Sequence, residues 1–171
     1  MTIEKLLTDK VKDAIFTLIS ASKGELIAQG HRLSGNLVNS FEQTITFVGG
    51  SIKAEVFVAD YGLIIDGGVK PSRIPYNRGS GARTSKFIEA LIEYWRKRGL
   101  NELNAKRAAF ATAAKQKREG MPTRDSYRYS TNGRRLDWRK HASEAAKDKI
   151  LDALNFLQGL KDVIDTLIEF N

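Results

Sequence analysis

Thr44–Val58 reads TITFVGGSIKAEVFV, and this stretch decides the fold. Thr44–Val48 is a run of β-branched and aromatic residues. Gly49-Gly50 then offers a tight reversal, and Ile52, Ala54, Val56 and Val58 alternate with Lys53, Glu55 and Phe57. The β-branched run, the glycine pair and the alternation over 52–58 together predict a β-hairpin over 44–58.

Upstream the period changes. Ile3, Leu6, Leu7, Val11, Ala14, Ile15, Leu18 and Ile19 recur at three- and four-residue spacing, the stripe of an amphipathic helix over 3–20. Gly24 is expected to interrupt it, with a further short helical turn over 25–30. Ser34 reads as an N-cap, its hydroxyl accepting from a first-turn N–H, for a short helix that turns Leu37, Val38 and Phe41 inward.

Downstream, ADYGLIIDGG (59–68) is apolar and closes on a glycine pair. Residues 68–84, GVKPSRIPYNRGSGART, show no periodicity and predict a long mobile loop. Thr84 or Ser85 can cap a helix over 85–98, whose stripe is Phe87, Ile88, Leu91, Ile92 and Trp95 and whose stop is Gly99. Arg96, Lys97 and Arg98 suit the negative end of its dipole. Asn101 can cap the next helix, 102–118, which ends at Gly120 with Pro122 beyond. A second polar loop, MPTRDSYRYSTNGR (121–134), carries the turn pair Asn132-Gly133. From there the pattern is helical over 136–169, with Gly159 as a break. Its wide stripe includes Leu154, Leu157, Leu160, Ile164, Leu167 and Ile168, and packs either on the chain's own helices or on a neighbouring subunit. With no repeat and no linker, the expectation is one α+β domain over 1–171: a small antiparallel sheet packed against several helices, with two long basic loops.

Charge singles out the middle of the chain. Residues 68–141 hold 19 Lys/Arg against 6 Asp/Glu, while the rest hold 9 against 14. A basic centre between mildly acidic ends predicts a surface for phosphates or an acidic partner. The chain has no cysteine, which excludes disulfides, thiolate catalysis and cysteine-ligated zinc. No apolar run approaches the ~18–20 residues that cross a bilayer. MTIEKLLTDKVKDAIF mixes charge with apolar residues and does not read as a signal peptide.

Catalytic patterns do not emerge. His31 and His141 stand far apart in unlike contexts, and Asp60, Asp66, Asp125 and Asp137 are ordinary loop-side acids. There is no GxSxG turn, and GGVKPSR lacks the GxxxxGK[ST] spacing of a phosphate cradle. The expectation is no enzyme, no metal and no cofactor. Two arginine-rich loops carry the interest instead. The first holds Lys70, Arg73, Tyr76, Arg78 and Arg83. The second holds Arg124, Tyr127, Arg128, Tyr129, Arg134 and Arg135, followed by Trp138 and Arg139. Arginine interleaved with aromatics marks both nucleic-acid grips and protein interfaces. Both loops are expected to be poorly ordered in the free chain.

In order along the chain, SGNLVNSF (34–41), the hairpin, ADYGLIIDGGV (59–69), WRKRG (95–99), AKRAAFATAAKQKREGMP (105–122) and YSTNGRRLDW (129–138) resemble the tail-completion, or head–tail joining, proteins of long-tailed bacteriophages. The matching positions are Ala59, Tyr61, Ile65, Asp66 and Gly68, then Trp95, then Lys117, Gly120 and Pro122. The similarity spans about 30–140. RRLDW stands where that family has an aromatic-Leu segment, and the C-terminal helical part lies outside the similarity. The resemblance implies a structural virion protein of the neck or upper tail, made in the host cytoplasm. It would form a homo-oligomeric, hexameric ring between the connector or stopper proteins and the tail-tube protein, with DNA in its channel and no membrane. The alternative is a stand-alone basic nucleic-acid-binding domain using Arg73, Arg78, Arg124, Arg128, Arg134 and Arg135.

Overall fold

A computed structural model describes residues 3–48, 51–77, 79 and 85–169, with side chains from 5 to 159 of these. The fold is α+β: helices and one two-stranded antiparallel sheet. Where the sequence suggests one domain, the chain groups into two compact units. Unit 1 is Met1–Gly62 with Asp137–Asn171, and unit 2 is Leu63–Leu136.

Unit 1 is built on two long helices, α1 (Ile3–Ala28) and α6 (Trp138–Glu169), packed together. Val11, Ala14, Ser22 and Leu26 on α1, and Ala142, Ala146 and Ala153 on α6, are buried. Small residues at these positions let helix backbones approach closely. Gly24 does not interrupt α1, and Gly159 does not break α6. A mid-helix glycine costs only about 1 kcal/mol against alanine, and the buried residues on both sides of Gly24 outweigh it. A Cβ at Gly24 would meet nothing within 4 Å. Gly24→Ala should therefore raise unfolding stability by about 0.5–1 kcal/mol, measured by urea denaturation. A loss of stability there would mean that α1 is not continuous.

Ser34 is not the cap of the short helix α2 (Asn36–Asn39). The N-cap is Gly35, in the left-handed region at φ 72°, while Ser34 Oγ accepts from Asn36 N at 3.4 Å. Strands β1 (Glu42–Val48) and β2 (Ser51–Phe57) form the expected hairpin, in the register Glu42 with Phe57 through Val48 with Ser51. Ile45, Phe47, Ile52, Ala54 and Val56 share one face, and the opposite face carries Thr44, Thr46, Lys53 and Glu55. The turn at Gly49-Gly50 lies outside the described residues. The short helix α3 (Tyr61–Gly67) follows, where the sequence shows only an apolar stretch.

Trp138, at the start of α6, anchors unit 1. Its ring meets Phe41 edge-on at 5.8 Å, its indole N–H donates to Gly62 O at 3.0 Å, and only 3% of the residue is exposed. The sequence placed Trp138 among the outward-facing interface residues; it is a core residue instead. The hydrogen bond to a backbone 76 positions away is what draws it in.

Unit 2 is a helical hairpin of α4 (Lys86–Lys97) and α5 (Glu102–Glu119). Ser85 Oγ accepts from Ile88 N at 3.4 Å and Asn101 Oδ1 from Asn104 N at 3.0 Å, the caps read from the sequence. Ala105, Ala109, Ala113 and Gln116 give α5 one buried face, and Trp95 Nε1 of α4 donates to Thr112 Oγ1 at 3.0 Å. No helix among the described residues is long and apolar enough to cross a membrane.

Candidate functional site

The two basic loops of unit 2 are tied to each other rather than free. Val69 N donates to Met121 O and Met121 N to Val69 O, both at 2.8 Å. This bridge is flanked by Gly68 (φ 68°) and Gly120 (φ 86°), where a Cβ would lie 2.4 Å from Met121 O and 2.6 Å from Val69 O. A 3-10 turn at Pro71–Arg73 follows, Ile74 is buried, and Lys117 Nζ donates to Ile74 O at 2.9 Å. Lys70 and Arg73 are exposed and Tyr76 is half-buried. Arg78 and Arg83 lie outside the described residues.

The second loop is folded, against the expectation of disorder. Arg124–Tyr129 forms a 3-10 turn, and Arg124 N donates to Glu119 Oε2 at 3.1 Å. Ser130 Oγ donates to Asn132 Oδ1 at 2.8 Å, and both oxygens accept from Arg134 N at 3.1 Å. Short polar side chains satisfying nearby backbone groups are what order such a segment. Lys115 pairs with Asp125, which holds the Asp125 carboxyl below the usual carboxylate range through a hydrogen bond and its charge.

Around this turn the loop and α4 build a stack of cations on rings. The Arg98 guanidinium carbon sits 4.9 Å from the Tyr94 ring centre and 4.4 Å from that of Tyr129, and Arg128 sits 4.9 Å from Tyr129. Arg128 also donates to Tyr129 Oη at 2.8 Å. Tyr94 meets Trp95 edge-on at 5.3 Å. Each such contact contributes on the order of 0.5–1 kcal/mol where exposed and more where desolvated. Of the residues singled out in the sequence, Arg128, Tyr129 and Arg135 come together here, while Arg124, Tyr127 and Arg134 are exposed on the same segment. Tyr94 and Arg98 were missed because one lies in α4 and the other caps its C-terminus, outside the two loops. Their i, i+4 spacing is the signal that could have found them.

Beside the stack opens a cleft of about 500 Å³. Phe87, Leu91 and Trp95 of α4 line it with Met121 and Pro122, and Arg128, Arg135 and Lys115 add positive charge. The α4 stripe is half-buried, apart from buried Ile88, because much of it faces this space. Desolvation dominates the electrostatics. Burial pushes the Tyr94 phenol above its ordinary pKa, partly offset by Arg98, and pushes the Arg135 guanidinium below its own, partly offset by Tyr94. A phenol whose pKa is raised on folding stabilises the fold fully below the unfolded value and loses that contribution as pH rises through the folded one. In an absorbance titration, Tyr94 should ionise later than a solvent tyrosine, whose pKa is about 10, and Tyr94→Phe should remove this late step. Ionisation of all tyrosines together near the solvent value would contradict the burial.

Among the described residues, no group of three His, Asp or Glu side chains comes together as a metal site requires. No protein-family model matches the chain, and neither a curated protein nor a solved structure matches it.

Proposed function

We propose that this chain is a structural virion protein: a ring-forming neck or tail-completion subunit that joins the head-side connector to the tail tube of a phage. It works by surfaces and not by chemistry. The resemblance over residues 30–140 supplies the phage role. The physical support is the apolar surface that unit 1 leaves open. Phe16, Phe47, Val48, Phe57, Leu151 and Leu154 are each 43–70% exposed. The buried hydrophobic set, meanwhile, is mostly alanine, with Leu26 the one large apolar side chain below 2% exposure among the described residues. Among the described residues, a core built so largely of alanine leaves larger apolar side chains open to partners. Neither hairpin strand has a second neighbour among the described residues, and open strand edges invite pairing with another copy.

Charge fits the same picture. Unit 2 holds 17 Lys/Arg against 6 Asp/Glu, and unit 1 holds 11 against 14. Head-to-tail contacts in a ring can set one unit's basic face against the other's acidic face. Exposed arginines not used between copies remain for connector and tail-tube proteins or for DNA in the channel.

Native mass spectrometry of the purified chain tests this. A closed oligomer, with six copies the expected number, supports the ring, and Phe47→Asp should reduce it without loss of helical signal. A species that stays at 19.1 kDa at every concentration and binds oligonucleotide with a steep salt dependence would replace this reading with the nucleic-acid-binding one.

A further inference from the structure

The unit 2 cleft has a shape and a charge that together specify an occupant. Its volume of about 500 Å³ lies within the range of clefts that hold ligands. One wall is apolar: Phe87, Leu91, Trp95 and Met121. Cations dominate its charged side chains. Lys115, Arg128 and Arg135 outnumber Asp125, the acid among the lining residues, which pairs with Lys115. The wall also holds an acceptor without a donor: Gln116 is 9% exposed, and its Oε1 has no hydrogen-bond partner among the described residues.

Two anionic occupants could meet such a site, a nucleic-acid strand or an acidic protein segment. The rings next to the cations favour the second. A base needs an open aromatic face, yet Tyr129 carries two guanidiniums within 5 Å of its ring centre and Tyr94 carries one, with Trp95 edge-on beside it. What remains is a recess for an apolar side chain, next to forked donors that match a carboxylate.

We propose that this cleft is a docking site for an acidic segment of a partner protein, an aromatic or aliphatic residue seating against Phe87, Leu91, Trp95 and Met121 while an adjacent carboxylate pairs with Arg128 and Arg135. The partner is the kind an assembly subunit requires, so the inference rests on the assembly reading for its biological setting.

The test uses the full chain and a fluorescein-labelled peptide, acetyl-Gly-Phe-Glu-Glu-Leu-Gly-amide, followed by anisotropy. Saturable binding is expected. It should weaken roughly ten-fold or more with Arg128→Ala combined with Arg135→Gln, the loss typical of a truncated charge pair. Ala90→Phe, at an exposed position on the cleft wall, should block the recess to a similar degree. If the half-buried Arg135 variant loses helical signal, Arg128→Ala alone carries the charge test. Peptides with lysine for glutamate, or alanine for phenylalanine, should bind at least ten-fold more weakly. Absence of binding, or binding indifferent to Ala90→Phe, overturns the proposal. So does displacement by a short oligothymidylate at lower concentration than by unlabelled peptide, which would make the cleft a nucleic-acid site. Peptide binding by a chain that forms no oligomer would sink the ring and leave the cleft standing. A ring that ignores the peptide would do the reverse.

Discussion

Replacing Trp138 by alanine is expected to cost about 3–5 kcal/mol of stability, the range for a buried aromatic removed from a core. The residue is 3% exposed, stacks edge-on against Phe41, and its N–H satisfies the Gly62 carbonyl. Removing the ring opens a cavity between the start of α6 and the residue that precedes the hairpin, and it orphans a backbone acceptor. Trp138→Phe separates the two effects. Phenylalanine keeps the six-membered ring and loses the pyrrole part with its N–H, so a smaller loss of roughly 1–3 kcal/mol is expected. Urea unfolding followed by far-UV circular dichroism measures both. A Trp138→Ala chain within 1 kcal/mol of the parent would return Trp138 to the surface, where its arginine-rich neighbours suggested it belonged.

The second large effect is expected at the glycine pair that brackets the Val69–Met121 bridge. At Gly68 and Gly120 a side chain faces two penalties. A positive φ costs an L-residue about 1–2 kcal/mol, and the new Cβ lies 2.4 or 2.6 Å from a carbonyl oxygen of the opposite loop. Backbone cannot yield as a flexible side chain does, and overpacking adds about 1–3 kcal/mol. Gly68→Ala or Gly120→Ala should therefore destabilise unit 2 by roughly 2–5 kcal/mol. The chain supplies its own probes, since its two tryptophans divide between the units, Trp95 in unit 2 and Trp138 in unit 1. Trp95 fluorescence, read in a Trp138→Phe background, should show the shifted midpoint. An unchanged midpoint would mean that the two loops are not joined at this bridge.

Local signals carried much of the fold. The β-branched run, the glycine pair and the alternation over 52–58 marked the hairpin, because a period of two is a signal local to the strand. Ser85, Gly99, Asn101 and Gly120 bounded α4 and α5 through capping chemistry that acts within one helical turn. The misreadings share a cause. Gly24 disfavours helix locally, yet tertiary packing along α1 overrides a penalty of about 1 kcal/mol. YGLIIDG is a short apolar run with glycines at positions 62 and 67, a pattern from which helix and strand cannot be told apart by period. Trp138 has no local mark of burial, because its partners lie far away in sequence.

The candidate site was half legible for the same reason. Composition located the cationic segments and named Arg128, Tyr129 and Arg135. It could not show that Tyr94 of α4 and Arg98, the C-cap of that helix, complete the stack, nor that short Ser and Asn contacts fold residues 124–134 into a defined surface. A glycine- and arginine-rich tract reads as mobile until those contacts are known. The consequence is physical: a fixed cationic surface loses less conformational entropy on meeting a partner than a disordered one, which suits repeated contacts in an assembly.

The cleft and the cationic stack beside it exist only if the second basic segment is a built surface, and hydrogen exchange on the isolated chain tests that most directly. The amides of Met121, Ser126 and Ser130, bonded to Val69 O, Thr123 O and Tyr127 O, should exchange far more slowly than in an unstructured peptide. Exchange across 121–134 at unstructured rates, with α4 and α5 still protected, would contradict it.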